Sequence, residues 1–195
     1  MKKILTTPIS EEEIRSLKVG DTIYVSGTLV TGRDAVHQRL LTEKQPLAAD
    51  LNGGVLYHAG PIVKERENEP GKYDVVACGP TTSMRMEKLE KEFLEATGAR
   101  LIIGKGGMGE KTTQACQELG AVHAVFPGGC AVLAAACVEE VEGVEWKDLG
   151  MAEAAWILRV REFGPLIVSI DTHGSNLFEK NRELFRIRKE ETQAV

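Results

Sequence analysis

Cysteine is scarce in this sequence and never paired: Cys78, Cys116, Cys130 and Cys137 are the only four in 195 residues. None stands in a C-x-x-C pair, and no His/Cys/Asp/Glu spacing resembles a zinc site, so no metal ligand is assigned to the chain. Each cysteine lies in an apolar or helical stretch, which reads as a reduced, buried, small hydrophobe in a cytoplasmic protein. Long hydrophobic runs are missing too. None approaches the ~20 residues that a membrane-spanning helix requires. Met1-Lys2-Lys3-Ile4-Leu5 opens like a signal peptide, but Thr6-Thr7-Pro8 and Glu11-Glu12-Glu13 end the apolar stretch, so none is expected. Excess positive charge is also lacking. A net charge of −5 argues against a nucleic-acid partner, which needs a basic field to neutralise phosphates.

With 43% hydrophobic and 27% charged residues, the composition is that of an ordinary globular protein. A chain of this length buries roughly 70% of its unfolded surface, enough for one core without a disulfide or structural metal. No repeat or linker divides it, so residues 1–195 are read as one domain. Thr22 to Val30 is rich in β-branched residues and broken at Gly27, and Gly53 to Val63 reads as further strand, giving a β-rich N-terminal layer. Arg33 to Leu41 is expected to form a short helix. From Tyr73 onward short apolar strands (73–78, 100–103, 122–126) alternate with helical patterns (86–94, 110–119, 130–141), with Gly98 as a C-terminal cap. Two late strands, 156–160 and 166–170, precede a charged terminal helix from Leu177. Such alternation predicts an α/β fold with a largely parallel central sheet.

Three glycine-rich turns carry the candidate chemistry. Gly104-Lys105-Gly106-Gly107-Met108-Gly109 satisfies G-x-G-x-x-G between a strand and a helix, a context that suits dinucleotides. However, the next strand ends in Phe126-Pro127-Gly128-Gly129, with no acidic residue for a ribose. A P-loop fails as well, because Glu110 stands where a glycine is needed before Lys111-Thr112. What survives is a turn whose backbone N–H groups, at Gly104 and Gly106 among others, and Lys105 suit an anion. In Gly79-Pro80-Thr81-Thr82-Ser83-Met84-Arg85, Thr81 and Arg85 are four apart and share one side of a helical turn. A hydroxyl and a guanidinium there suit a carboxylate; an ordinary N-cap beside a surface arginine explains the pattern equally well. In Thr31-Gly32-Arg33-Asp34-Ala35-Val36-His37, Arg33 is placed to grip a second carboxylate, and Asp34 with His37 to orient it or act as acid and base. A solvated loop with a local salt bridge is the alternative. Asp171 to Asn176 reads as the cap of the last helix rather than a site for a catalytic His173. Arg33, Arg85 and Lys105 at the carboxyl ends of strands together predict a site for a small dicarboxylate.

These turns, with Tyr57-His58-Ala59-Gly60-Pro61, Phe163-Gly164-Pro165 and Asp171-Thr172-His173-Gly174, resemble the β subunit of class I, iron–sulfur fumarate hydratase and of L(+)-tartrate dehydratase. The likeness runs from about residue 5 to 180. It implies a swivelling β/β/α domain. It also implies an α-subunit partner whose three cysteines hold a [4Fe–4S] cluster with one open iron acting as Lewis acid, and a hetero-oligomer such as α2β2. On this chain, Arg33, Arg85 and Lys105 would hold the dicarboxylate, and Thr81 would move the proton at the carbon next to a carboxylate. Asp34 and His37 are the second choice for acid–base or orienting roles. The expected activity is reversible hydration of fumarate to (S)-malate, shown only with the partner subunit. Tartrate dehydration, a dicarboxylate-binding module without chemistry, and nucleotide binding at the glycine turn are the alternatives.

Overall fold

The computed structural model describes residues 3–193, and it arranges them around one closed sheet. Strands β1 (Lys3–Thr6), β2 (Thr22–Thr31), β3 (Val55–Tyr57), β6 (Leu101–Gly104) and β7 (Val122–Val125) are parallel neighbours in that order. The long strand β9 (Ala155–Ile170) runs antiparallel to β7 on one side and to β2 on the other. The sheet therefore closes into a barrel of β2, β3, β6, β7 and β9. β1 extends it beside β2, and β8 (Val138–Glu145) lies antiparallel on the first half of β9. β4 (Ile62–Glu65) and β5 (Tyr73–Ala77) form a separate antiparallel hairpin. Helices α1 (Glu11–Arg15), α2 (Asp34–Leu41), α3 (Glu90–Thr97), α4 (Glu110–Leu119), α5 (Ala131–Ala136) and α6 (Leu177–Gln193) complete the described chain.

Period-two alternation explains the two cores. Ile23, Val25 and Leu29 of β2, Val55 and Tyr57 of β3, Leu101 and Ile103 of β6, and Val122 and Ala124 of β7 fill the barrel. Their neighbours Val30, Leu56 and Ile102 join a second cluster with Val36, Phe93, Leu94 and Cys116, supplied by α2, α3 and α4. Tyr57, Phe126 and Phe163 plug the barrel with edge and tilted ring contacts, Phe163 lying 5.1 Å from Tyr57 and 5.0 Å from Phe126. Each such buried side chain contributes on the order of 1.5–3 kcal/mol. The Tyr57 hydroxyl donates to the Cys78 carbonyl at 2.8 Å, and burial pushes its pKa up.

The structure corrects four expectations. The N-terminal strands are no separate layer: β2 and β3 belong to the same sheet as β6 and β7. The sheet itself is largely parallel as expected, with antiparallel pairing only at β8 and β9. The helix expected over 130–141 stops at Ala136, because Val138–Glu145 pairs with β9, and bulges between Val138 and Glu140 and between Val141 and Gly143 keep Val138, Val141 and Val144 on the core side. The two late strands are one, carried through register shifts opposite Val25 and Gly27. Gly27 does not end β2 either. Its φ of +104° makes a bulge, and its bare Cα lets Thr7 approach so closely that a Cβ would stand 2.3 Å from Thr7 Oγ1, whose oxygen accepts from Thr28 N.

Candidate functional site

The register Thr31↔Tyr57↔Ile103, with Gly104↔Val125, brings the carboxyl ends of four parallel strands to one rim. Each strand runs directly into a glycine-containing turn. The turn at 80–85 is laced between two others: Thr81 N donates to His58 O (2.7 Å), Lys105 N to Thr81 O (2.9 Å) and Ser83 N to Lys105 O (3.0 Å). Thr82 and Lys105 form a parallel bridge, and Ala59 and Pro80 an antiparallel one. Thr81 and Lys105 are thus neighbours fixed by main-chain bonds. The Lys105 side chain is exposed, and neither its ammonium nor the Thr81 hydroxyl has a hydrogen-bond partner among the described residues.

Arg85 and Asp34 meet across two turns. Arg85 Nε donates to Asp34 Oδ1 at 3.1 Å, and Arg85 Nη2 lies 2.9 Å from Oδ2 without an aligned hydrogen bond, in an ion pair whose side chains are 51% and 31% exposed. Arg33 Nε lies 3.0 Å from Glu153 Oε1, yet no aligned hydrogen bond satisfies it. A Cβ on Gly60 would come within 2.9 Å of Arg33 Nη1, so Gly60 makes room for that guanidinium. Asp34, Arg85, Arg33, Thr81 and Lys105 are therefore all on turns that leave the same rim. The segment 81–85 is not the helical turn predicted. Ser83–Arg85 is a single 3-10 turn and α3 starts only at Glu90, so Thr81 and Arg85 are held by neighbouring turns rather than by a helix face.

Two sequence readings change here. The α4 N-terminus is not free for an anion, because Glu87 accepts from Gly109 N (2.7 Å), Thr112 N (3.3 Å) and Thr112 Oγ1 (2.7 Å). That self-supplied carboxylate also disposes of the dinucleotide reading of G-x-G-x-x-G. His37 is fully buried and away from the rim. Its Nδ1 bonds the Arg33 carbonyl at 2.9 Å, so it steadies the Arg33 turn from behind instead of facing a substrate. Gly106 takes a φ of +74° with open space around it, and Gly104 packs directly under Ser83. Asn176 Oδ1 accepts from Phe178 N at 3.0 Å and so caps α6, while His173 is exposed. A cleft of about 280 Å³ beside the hairpin is lined by Val63, Tyr73, Met151 and Trp156 and by none of the rim residues.

Sequence reasoning missed a buried polar chain beneath the rim. Glu90, His58, Ser83, His123 and Ser169 all have no exposure, and they come from the start of α3, the residue after β3, the 3-10 turn, the start of β7 and β9. His58 Nδ1 lies 2.9 Å from Ser83 Oγ, Ser83 Oγ 3.0 Å from His123 Nε2, and His123 Nδ1 2.6 Å from Ser169 Oγ. Burial opposes ionisation of Glu90, but His58 and His37 outweigh it and hold its carboxyl below the usual range. Burial, with His58 adding to it, pushes His123 down to about 3. The unfolded chain then binds a proton at His123 that the folded chain refuses between about pH 3 and about 6.5. Stability rises with pH across that window and is lost on acidification. At pH 5 the loss is about 2 kcal/mol, read as a lower urea midpoint than at pH 7.5. His123→Asn should flatten that slope, and an unchanged slope in the variant would refute the assignment.

Compared with known proteins, residues 2–181 match the family described as Fumarase C-terminus. The chain is 56% identical over 190 residues to the L(+)-tartrate dehydratase subunit beta of Escherichia coli (strain K12), covering 97% of this chain and 93% of that one. It is 46% identical over 175 residues to a Geobacillus stearothermophilus protein named "Putative fumarate hydratase class I", covering 90% of this chain and 33% of that one.

Proposed function

Because the chain belongs to the family of fumarase C-terminal domains, we propose that it is the β subunit of a hydro-lyase acting on a four-carbon dicarboxylate. The observation that carries this reading is the rim itself: three cations and one unpartnered hydroxyl on turns tied together by main-chain bonds. The half-exposed Arg85–Asp34 pair is worth little in water. A substrate carboxylate can replace Asp34 at Arg85, where a guanidinium can take it at two points. Lys105 offers its free ammonium to the second carboxylate, and Arg33, with its unaligned Nε, closes the clamp.

Thr81 is the proton-moving group in this reading. A threonine hydroxyl is a weak base, and the Lys105 and Arg85 charges nearby favour alkoxide character. The family's iron–sulfur cluster does not fit the thiols of this chain. Burial pushes Cys78 up to about 12 and raises Cys116 and Cys130 as well. No three cysteines gather among the described residues. The cluster is therefore assigned to the α subunit, while this chain supplies the carboxylate clamp and the proton transfer. Exposed Val132 and Leu133 on α5, directly after the turn that follows β7, offer an apolar face for that partner. No helix among the described residues is long and apolar enough to cross a membrane, which accords with cytoplasmic placement; the swivelling of the domain against its partner belongs to the same proposal.

Fumarate hydration and tartrate dehydration ask the same of this clamp. The second is favoured by the higher identity to a β subunit of matching length. The test is anaerobic turnover by this chain co-purified with an iron–sulfur partner from the same genome, with fumarate and L(+)-tartrate run in parallel. Turnover is expected from the pair and from neither subunit alone. An intact, cluster-loaded pair that turns over neither substrate would leave only a dicarboxylate-binding module.

A further inference from the structure

The buried residues His37, His58 and Glu90 bring ligand atoms within 4.8 Å of one another, and all three side chains have no exposure. They come from α2, the end of β3 and the start of α3, so their spacing in the chain shows no metal motif. His37 Nε2 lies 3.4 Å and His58 Nε2 3.2 Å from Glu90 Oε2. These are ion-pair distances, yet neither nitrogen and neither Glu90 oxygen makes an aligned hydrogen bond.

The surrounding bonds explain why. A carbonyl only accepts, so the Arg33 carbonyl fixes the proton of His37 on Nδ1. Its Nε2 is then a bare lone pair aimed at a carboxylate oxygen. Ser169 Oγ lies 3.2 Å from the His123 carbonyl. With the Ser169 proton donated there, His123 Nδ1 donates to Ser169, Ser83 donates to His123 Nε2, and His58 Nδ1 donates to Ser83. His58 Nε2 is then bare as well. With both rings neutral, acceptors converge from three side chains with no donor between them; the gap calls for a cation, either a second proton on an imidazole or a metal ion.

The distances agree. A charge-assisted N–H···O bond runs about 2.7–2.9 Å, shorter than either contact. Ligands about 2.0–2.1 Å from a tetrahedral zinc stand about 3.3 Å apart, between the two observed values. The outward ring nitrogens are held by a backbone carbonyl and a hydroxyl, as metal-bound histidines usually are. Two imidazoles and a carboxylate suit Zn²⁺ or a similar first-row divalent ion.

We propose that His37, His58 and Glu90 form a closed binding site for a divalent transition-metal ion, Zn²⁺ being the best match. The ion would join α2, α3 and the end of β3. It would thereby steady the carbonyl of Arg33 through His37 and the main chain of Thr81 through His58, whose carbonyl accepts from Thr81 N. This inference does not rest on the hydro-lyase reading, because metal content is measured without turnover.

The test is elemental analysis of the full-length chain purified after growth with added Zn²⁺, followed by dialysis against chelator to strip surface ions. About one zinc per chain is expected in the wild type and at least a five-fold loss in Glu90→Gln and His58→Asn. Because those variants can fail to fold, the wild type is also grown with Co²⁺. Visible ligand-field bands are expected in the folded chain, from cobalt held by the two imidazoles and by both Glu90 oxygens, each of which lacks a partner. A folded wild-type chain without stoichiometric zinc and without cobalt bands would overturn the proposal and leave the cluster held by protons alone.

Discussion

Thr81→Ala in the assembled enzyme should lower kcat by about 10²–10⁴-fold, the usual contribution of a positioned acid–base group, with KM within a few-fold of wild type. The fold should not suffer. Thr81 is set by its main chain, through the bonds to His58 O and Lys105 N, and its hydroxyl has no partner to lose among the described residues. Arg85→Met provides the contrast. It removes a charged hydrogen-bond donor worth about 1.5–3 kcal/mol from ground state and transition state alike, so KM should rise roughly ten- to a hundred-fold with a smaller change in kcat. Steady-state kinetics on both variants separates the roles. If Thr81→Ala raised KM and spared kcat, the hydroxyl would be a binding group and the proton would have to be moved elsewhere. Thr81→Ser keeps the hydroxyl and should retain much more of the turnover than Thr81→Ala.

The strands and the rim residues are legible in the sequence because their signals are local. β-branched runs ending in glycine mark β2, β6 and β7, and Gly98 closes α3 as a left-handed cap. Arg33, Arg85 and Lys105 stand out as cations beside such glycines. Closure of the sheet is not legible. It depends on β9 pairing with both β2 and β7, and no local pattern encodes a contact between Thr22 and Ile167. The α5–β8 boundary is hidden because Val138, Val141 and Val144 recur three apart, as on a helix continuing Cys130 to Ala136, and only pairing with β9 through two bulges decides where helix yields to strand. In sequence His37 looks like a companion of Asp34 because the two are three apart. On α2 the burial pattern sends His37 inward, while Asp34 stays half-exposed at the N-terminus. His58 and His123, taken singly, read as structural. Their meaning lies in meeting Ser83 and Glu90, which only the closed barrel brings about.

Gly104→Ala should be among the most damaging single-methyl additions in the protein, at about 3 kcal/mol or more, from overpacking plus loss of a buried hydrogen bond. The added Cβ would stand 1.8 Å from Ser83 Oγ and 3.2 Å from His58 Nδ1. Ser83 cannot rotate aside at low cost, because the same oxygen bonds both His58 and His123. Moving the whole turn instead breaks Ser83 N to Lys105 O and shifts Lys105 against Thr81. Stability and the substrate rim are therefore coupled at this one position. Gly106→Ala gives the control two residues away. Its φ of +74° costs an alanine about 1–2 kcal/mol, but nothing lies within 4 Å of the new methyl. Urea midpoints should rank wild type, Gly106→Ala and Gly104→Ala in that order. A double-mutant cycle sharpens the cause: Ser83→Ala removes the clashing oxygen, so its cost and that of Gly104→Ala should fall well short of adding. Strict additivity, or a Gly104→Ala variant as stable as wild type, would show that Ser83 does not sit against this strand end. The link from the barrel terminus to Thr81 and Lys105 would then be lost.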